Sequence, residues 1–347
     1  MALGRLWSLV VITAATCAIA AGGWFPAKLS AAEKAPTFGK IERKDPRFDQ
    51  LIPTDAALEK IGEGYDWAEG PAWDKKNKWL LFSDIPPNRV MRWKAGEGVT
   101  LFLHPAGYTG TKPRGGEPGS NGLHFDSQGR LILCQHGDRR IARLKADGKS
   151  FETLADKYDG KRFNSPNDAV FKSNGDLYFT DPPYGLEGLN DDPAKELKFN
   201  GVYRLAKDGT VTLLTKEMTF PNGIGFSPDE KTLYVAQSDP KAPIWKAFDV
   251  KADGTLGSSR VFADATAWAE AGRKGLPDGL KVDQKGNVFA TGPGGVHVFA
   301  ADGAHLGTID TGEATANCGF GEDGTVLFVC ADMYLGRIQT KTKGLGF

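Results

Sequence analysis

Cysteine is scarce in this chain. Cys17, Cys134, Cys318 and Cys330 are its four cysteines in 347 residues, too sparse and uneven for a disulfide framework. Cys318 and Cys330 flank the turn Glu322-Asp323-Gly324 and are the one pair placed to meet across a hairpin; buried free thiols are the expectation for the set. The five histidines stand apart, without the paired spacing of a zinc site. Neither sign of charge dominates, with 43 basic residues against 43 acidic ones. That balance implies no nucleic acid or other polyanion as a partner. Sustained helical periodicity is missing, which points to an all-β protein. The glycine-rich Gly115-Gly116-Glu117-Pro118-Gly119 does not join a strand to a helix and is no phosphate cradle. No Ser-His-Asp triad has local support.

Long apolar runs are also rare, and the clearest lies at the N-terminus. Arg5 precedes LWSLVVITAATCAIAAGGW, and small residues follow at 29–32. A basic start, a short apolar stretch and small residues read as a secretory signal over 1–32. The expectation is export to the periplasm or the medium, with no membrane attachment once the signal is removed. Residues 33–57 are polar with prolines and read as a linker or surface wrap.

What the chain has in quantity is glycine, 44 residues, and a repeated hairpin. Six units open at Glu69, Asn121, Asn167, Asn222, Asp278 and Asn317, spaced 39 to 56 residues apart. Each has a short apolar strand, a polar turn and a stronger second strand, as in NDAVFKSNGDLYFTDPP. Third strands such as VYRLAKDGT follow, and most units add a fourth. One small sheet cannot bury both faces, but six packed radially can, so residues 58–347 read as a six-bladed β-propeller. The stretch LEKIGEG at 58–64 has no blade of its own. It is placed as the outer strand that closes the last blade, beside LGRIQT.

Aligned, the openings form one column of carboxylates and amides. Inner strands line a propeller's channel, so these side chains should form a ring of oxygens at one mouth. Such oxygens suit a hard divalent cation. The plain alternative is that Asn and Asp merely make the turns before each strand. A second ring is expected from Asp84, His136, Asp181 and Asp332, with Tyr184 nearby. Trp73, Trp79 and Trp93 read as blade core, and Trp67 and Trp268 as candidates for a pocket wall. The loops 104–120 and 185–200 are rich in Gly and Pro and are placed as a lid.

The openings Glu69-Gly70-Pro71-Ala72-Trp73, Ser165-Pro166-Asn167-Asp168, Pro221-Asn222-Gly223 and Pro277-Asp278-Gly279-Leu280 resemble those of the senescence marker protein/gluconolactonase (regucalcin-like) family. The segment Tyr178 to Leu186, YFTDPPYGL, is similar to its bacterial gluconolactonase branch. The resemblance implies one divalent metal on the axis, calcium first, with magnesium, manganese and zinc as alternatives. It implies Glu69, Asn167, Asn222 and Asp278 as ligands and Asp278 as the catalytic proton carrier. It implies substrate contacts from Asn121, Asn167, His136, Tyr184 and Arg162, although two extra residues separate Arg162 from Asn167 relative to the regucalcin-type pattern. The implied activity is hydrolysis of a small lactone, commonly a sugar lactone, by a monomer or dimer. Two other readings stand beside it: another hydrolase or lyase on the same scaffold, acting on an ester or phosphotriester, and a non-enzymatic binding propeller. A binder has no need of two carboxylates in the column.

Overall fold

The computed structural model describes residues 35–347, and the expected signal over 1–32 lies outside them. Six antiparallel sheets form six blades. The inner strands are Ala68–Asp74, Ser120–Phe125, Ala169–Phe171, Pro221–Phe226, Leu280–Val282 and Thr315–Gly321, one for each of blades one to six. Each apolar face that alternation predicts is met by the next blade. Six buried clusters result, one in each gap between neighbours. Between blades two and three, for example, Ile132 and Ile141 pack on Phe179 and Tyr203.

The ring of blades closes as expected. Glu59–Glu63 pairs antiparallel with Tyr334–Gln339 and completes blade six. A strand from the chain's beginning thus hydrogen-bonds to one near its end, which makes opening the propeller costly.

Residues 35–57 do more than wrap the surface. Lys40–Arg43 adds a fifth, outermost strand to blade five, pairing with Thr308 and its neighbours. The 3-10 turn Pro46–Gln50 then buries Phe48 completely. Phe48, Leu51 and Ile52 fill the gap between blades five and six. Polar flanks mask this short apolar triplet, so composition alone reads the segment as a linker.

Among the described residues, Cys134, Cys318 and Cys330 are free and buried. Cys318 stands opposite Val329, not Cys330. Their side chains serve different clusters, one on each face of blade six, so no bridge can join them. Trp73 and Trp93 are core, as expected, whereas Trp79 is only half-buried, beside Phe102. Trp268 stacks on His297 at 4.1 Å, out in blade five, and is no wall of the axial site.

Candidate active site at the channel mouth

The six column residues stand where the inner strands lose their register. Pairing shifts between Glu69 and Ala72, Ser120 and Leu123, Pro221 and Ile224, and Thr315 and Asn317. In blades three and five the strand begins two residues after Asn167 and Asp278. Their amides still reach the neighbouring strand, at Thr180 O (2.9 Å) and Thr291 O (3.0 Å). Such irregularities re-aim a side chain out of a sheet's alternation. Here they occur at the same height in every blade.

Glycine follows the column residue in four blades because the next blade comes very close. A Cβ on Gly70 would lie 2.2 Å from Asn121 O, and one on Gly223 2.2 Å from Asp278 O. Hydroxyls on the second strands of four blades pin backbone carbonyls at or just before the next column residue. Ser83 Oγ donates to Asn121 O at 2.8 Å, Thr180 Oγ1 to Asn222 O at 2.7 Å, and Thr291 Oγ1 to Ala316 O at 2.9 Å. Ser238 Oγ donates to Pro277 O in the same way. Four of the six blades therefore help position the column residue of the next.

The column is buried, and four of its oxygens are unsatisfied. Glu69, Asn121, Asn167 and Asn222 are at most 4 % exposed. Asp278 retains some exposure as a residue, but its Oδ1 is sealed from solvent. Oδ1 of Asn121, Asn167, Asn222 and Asp278 all lack a hydrogen-bond partner, as does the hydroxyl of Tyr184. Native proteins rarely leave buried polar atoms unpaired, and four from one column is the mark of a site that holds something. In blade four the amide nitrogen is engaged, Asn222 Nδ2 donating to Ser238 Oγ at 2.9 Å, which turns Asn222 Oδ1 away from that hydroxyl. Glu69 Oε2 accepts from Asn317 Nδ2 at 2.9 Å and from Gly70 N.

The electrostatics match that reading. Burial, then the charge of Asp168, pushes the Glu69 carboxyl up to about 8. Burial, then Glu69, Glu117 and Asp168, pushes Asp278 well above the usual carboxylate range. Two acids held away from water, with the charge of Glu69 acting on Asp278, favour a cation or a shared proton. Among the described residues no three His, Cys, Asp or Glu side chains cluster at metal-binding spacing. The column offers two carboxylates and completes its donor set with amide oxygens, which suits a hard ion such as calcium.

Beneath the column lies a fixed charge. Lys281 Nζ stands 3.8 Å from Asp168 Oδ2 and 3.4 Å from Asn317 Oδ1. Asp168 also contacts His124 Nε2 at 3.0 Å. Burial works against the Asp168 carboxylate, but Lys281 and His124 outweigh it and hold this acid below its ordinary value. Asp168 is thus a structural anion, not a member of the ring. The far end of the channel opens into a cavity of about 1200 Å³ whose lining includes His124 and Lys281.

The expected second ring does not form. Asp84 turns back to Arg89 (2.8 Å) and to the amides of Asp66 and Trp67. Asp181 accepts from the amides of Asn164 and Ser165, both at 2.8 Å. Asp332 sits in a left-handed turn with φ 53°. A strand-end aspartate has backbone amides within reach, and satisfying those is what decides its direction. Asp181 thereby staples TDPPY to the segment that carries Asn167. His136 alone of that set joins the site, fully buried, with Nε2 3.5 Å from Asn167 Nδ2. Tyr184 lies beside Ser238 and Asn222, half-buried, its hydroxyl pushed up by that burial.

Arg162 points elsewhere. Its guanidinium donates to Asp138 O at 2.8 Å, from a small hairpin formed by Lys157–Tyr158 and Lys161–Arg162. That hairpin, which ends at Arg162, turns the side chain toward Asp138 and away from the column. Arg114 stands near the mouth instead, donating to Gly137 O at 2.7 Å and to Gly185 O. Gly115 N also donates to Glu187 Oε1 at 2.9 Å, so the two expected lid loops do meet. Glu117 is the acid that sequence reasoning missed. Its Oε2 stands 3.1 Å from His136 Nδ1, and no repeat or motif marks it.

Comparison with known proteins agrees with the fold. The family model for the SMP-30/gluconolactonase/LRE-like region matches residues 67–332. A gluconolactonase of Zymomonas mobilis is 40% identical over 314 residues, covering 89% of this chain and 88% of that protein. The structure of a gluconolactonase from Xanthomonas campestris superposes with a TM-score of 0.77 at 33% identity, covering 90% of this chain and 99% of the other. Regucalcin of Agrobacterium tumefaciens, a calcium-binding protein, shares the fold at 20% identity and a TM-score of 0.64, covering 82% of this chain and 94% of the other. The chain belongs to the SMP-30/gluconolactonase family of lactone hydrolases.

Proposed function

We propose that the protein is an exported, metal-dependent lactonase that opens a sugar lactone at the channel mouth. The observation that carries the proposal is the set of four buried, unpartnered oxygens, one of them on Asp278, together with the buried Glu69 carboxyl. Glu69, Asn167, Asn222 and Asp278 would hold the ion, and the calcium-binding relative favours calcium. When bound, a hard divalent ion supplies Lewis acidity at the lactone carbonyl and keeps the nearby carboxylates ionised.

The chain's own residues do the rest. Asp278 Oδ1 takes a proton from the attacking water and returns it to the ring oxygen as that bond breaks. Asn121 and Tyr184 offer polar atoms without partners to the substrate's hydroxyls, and a sugar lactone supplies several. His136 and Asn167 border the same space. The buried column keeps bulk water from competing with these contacts.

The direct test is hydrolysis of D-glucono-1,5-lactone, followed by pH drop, on chelated protein and after adding back calcium, magnesium, manganese or zinc singly. Activity that returns with a metal supports the proposal. Folded protein that stays inactive with every metal overturns it for this substrate, and a panel of other lactones, esters and phosphotriesters then decides the class.

A further inference from the structure

Glu117 belongs to neither the column nor any repeat. It rides on the loop between blades one and two, its side chain 34% exposed, yet it faces a histidine with no exposure at all. Its Oε2 lies 3.1 Å from His136 Nδ1, within hydrogen-bond reach although the N–H is not aligned with the oxygen. On the other side of the ring, His136 Nε2 lies 3.5 Å from Asn167 Nδ2. Asn167 Oδ1 has no partner.

We propose that Glu117 is a positioning residue that sets the orientation of the Asn167 amide through His136. An ionised carboxylate only accepts hydrogen bonds. A carboxylate oxygen 3.1 Å from Nδ1 favours the tautomer that carries the proton there. In the neutral ring that leaves Nε2 as an acceptor. An acceptor there calls for the Asn167 NH2 group, not its oxygen. The amide is fixed with Oδ1 turned away from His136, toward the axis. The same relay, in which an outer carboxylate fixes a tautomer and so aims an inner donor, is common around metal sites. Because Glu117 comes from a loop, the aim of Asn167 depends on that loop being seated. Arg114 and Gly115 seat it by bonding to Gly137, Gly185 and Glu187.

The inference rests on the lactonase reading for its kinetic consequence but not for its structural one. The test uses E117Q and E117L in the full protein. A glutamine keeps an acceptor for Nδ1–H; a leucine removes it. The ring nitrogens of His136 are read by long-range ¹H–¹⁵N correlation, with the signal assigned by its loss in H136Q. Wild type and E117Q are expected to show the proton on Nδ1, and E117L to shift toward Nε2. For gluconolactone, E117L is expected to lose about 10- to 100-fold in kcat/KM, with E117Q restoring most of it. An unchanged tautomer in E117L, or a wild-type proton on Nε2, overturns the relay. E117Q as impaired as E117L, with the tautomer kept, also overturns it and makes Glu117 an electrostatic residue. If the protein hydrolyses no lactone, the nitrogen spectra still decide the relay.

Discussion

Replacing Glu69 by Gln isolates the central electrostatic feature. In the metal-free fold the Glu69 carboxyl titrates at about 8, against 4.5 for the ordinary group. Between those values the native state holds a proton that the unfolded chain has released. Stability is therefore lost as pH rises from about 4.5, and the loss is complete above about 8. A rise of that size corresponds to about 5 kcal/mol, and it belongs to the Glu69–Asp278 pair as much as to Glu69 alone. Glutamine mimics the protonated acid and still accepts from Asn317 and Gly70. Without metal, E69Q should match wild type near pH 5 and exceed it at pH 8.5, by up to about 10 °C in Tm. The buried neutral His297 and His305, held down to about 3 and about 4 by burial, lose stability on acidification in both proteins and cancel in the comparison. Calcium should reverse the order, because only wild type has the carboxylate to bind it. The assay is scanning calorimetry in chelator at the two pH values, repeated with calcium. A wild type as stable as E69Q at pH 8.5 without metal would mean that the Glu69 carboxyl is not raised in the fold.

Three further outcomes follow from the structure. D278N should lower kcat by about 10²- to 10⁴-fold with an unchanged circular dichroism spectrum; near-normal turnover would remove Asp278 from the proton path. K281M strips Asp168, which is 1% exposed, of its ammonium partner, and should cost about 3 kcal/mol in urea unfolding at neutral pH. A loss within error would mean that His124 alone holds the charge. F48A empties a fully buried position between blades five and six and should cost about 3 kcal/mol; a smaller change would show that the N-terminal segment is not part of the core.

The blades were legible because alternation and turn residues repeat, and the physics of burying two sheet faces leaves few arrangements for six such units. The closing strand was legible for the same reason, as a strand pattern with no blade. The column was legible only by aligning the repeats: Asn222 alone is an ordinary turn residue, but Glu69 and Asp278 in the same place are not. The second ring failed because Asp84 and Asp181 answer to nearby backbone amides and Arg89, and such local bonds leave no periodic trace. Glu117 and Lys281 were missed for a related reason. One lies in an irregular loop, the other alternates normally on its strand, and only the fold brings them to Asp278 and Asp168. Phe48 was missed because three apolar residues in a polar stretch are below any pattern's reach.

The most direct test of the central claim is an anomalous difference map from crystals soaked in manganese at millimolar concentration. One strong peak is expected on the propeller axis, within bonding distance of Glu69, Asn167, Asn222 and Asp278. A fully occupied peak elsewhere, or a column that stays empty while the crystal diffracts well, would contradict it.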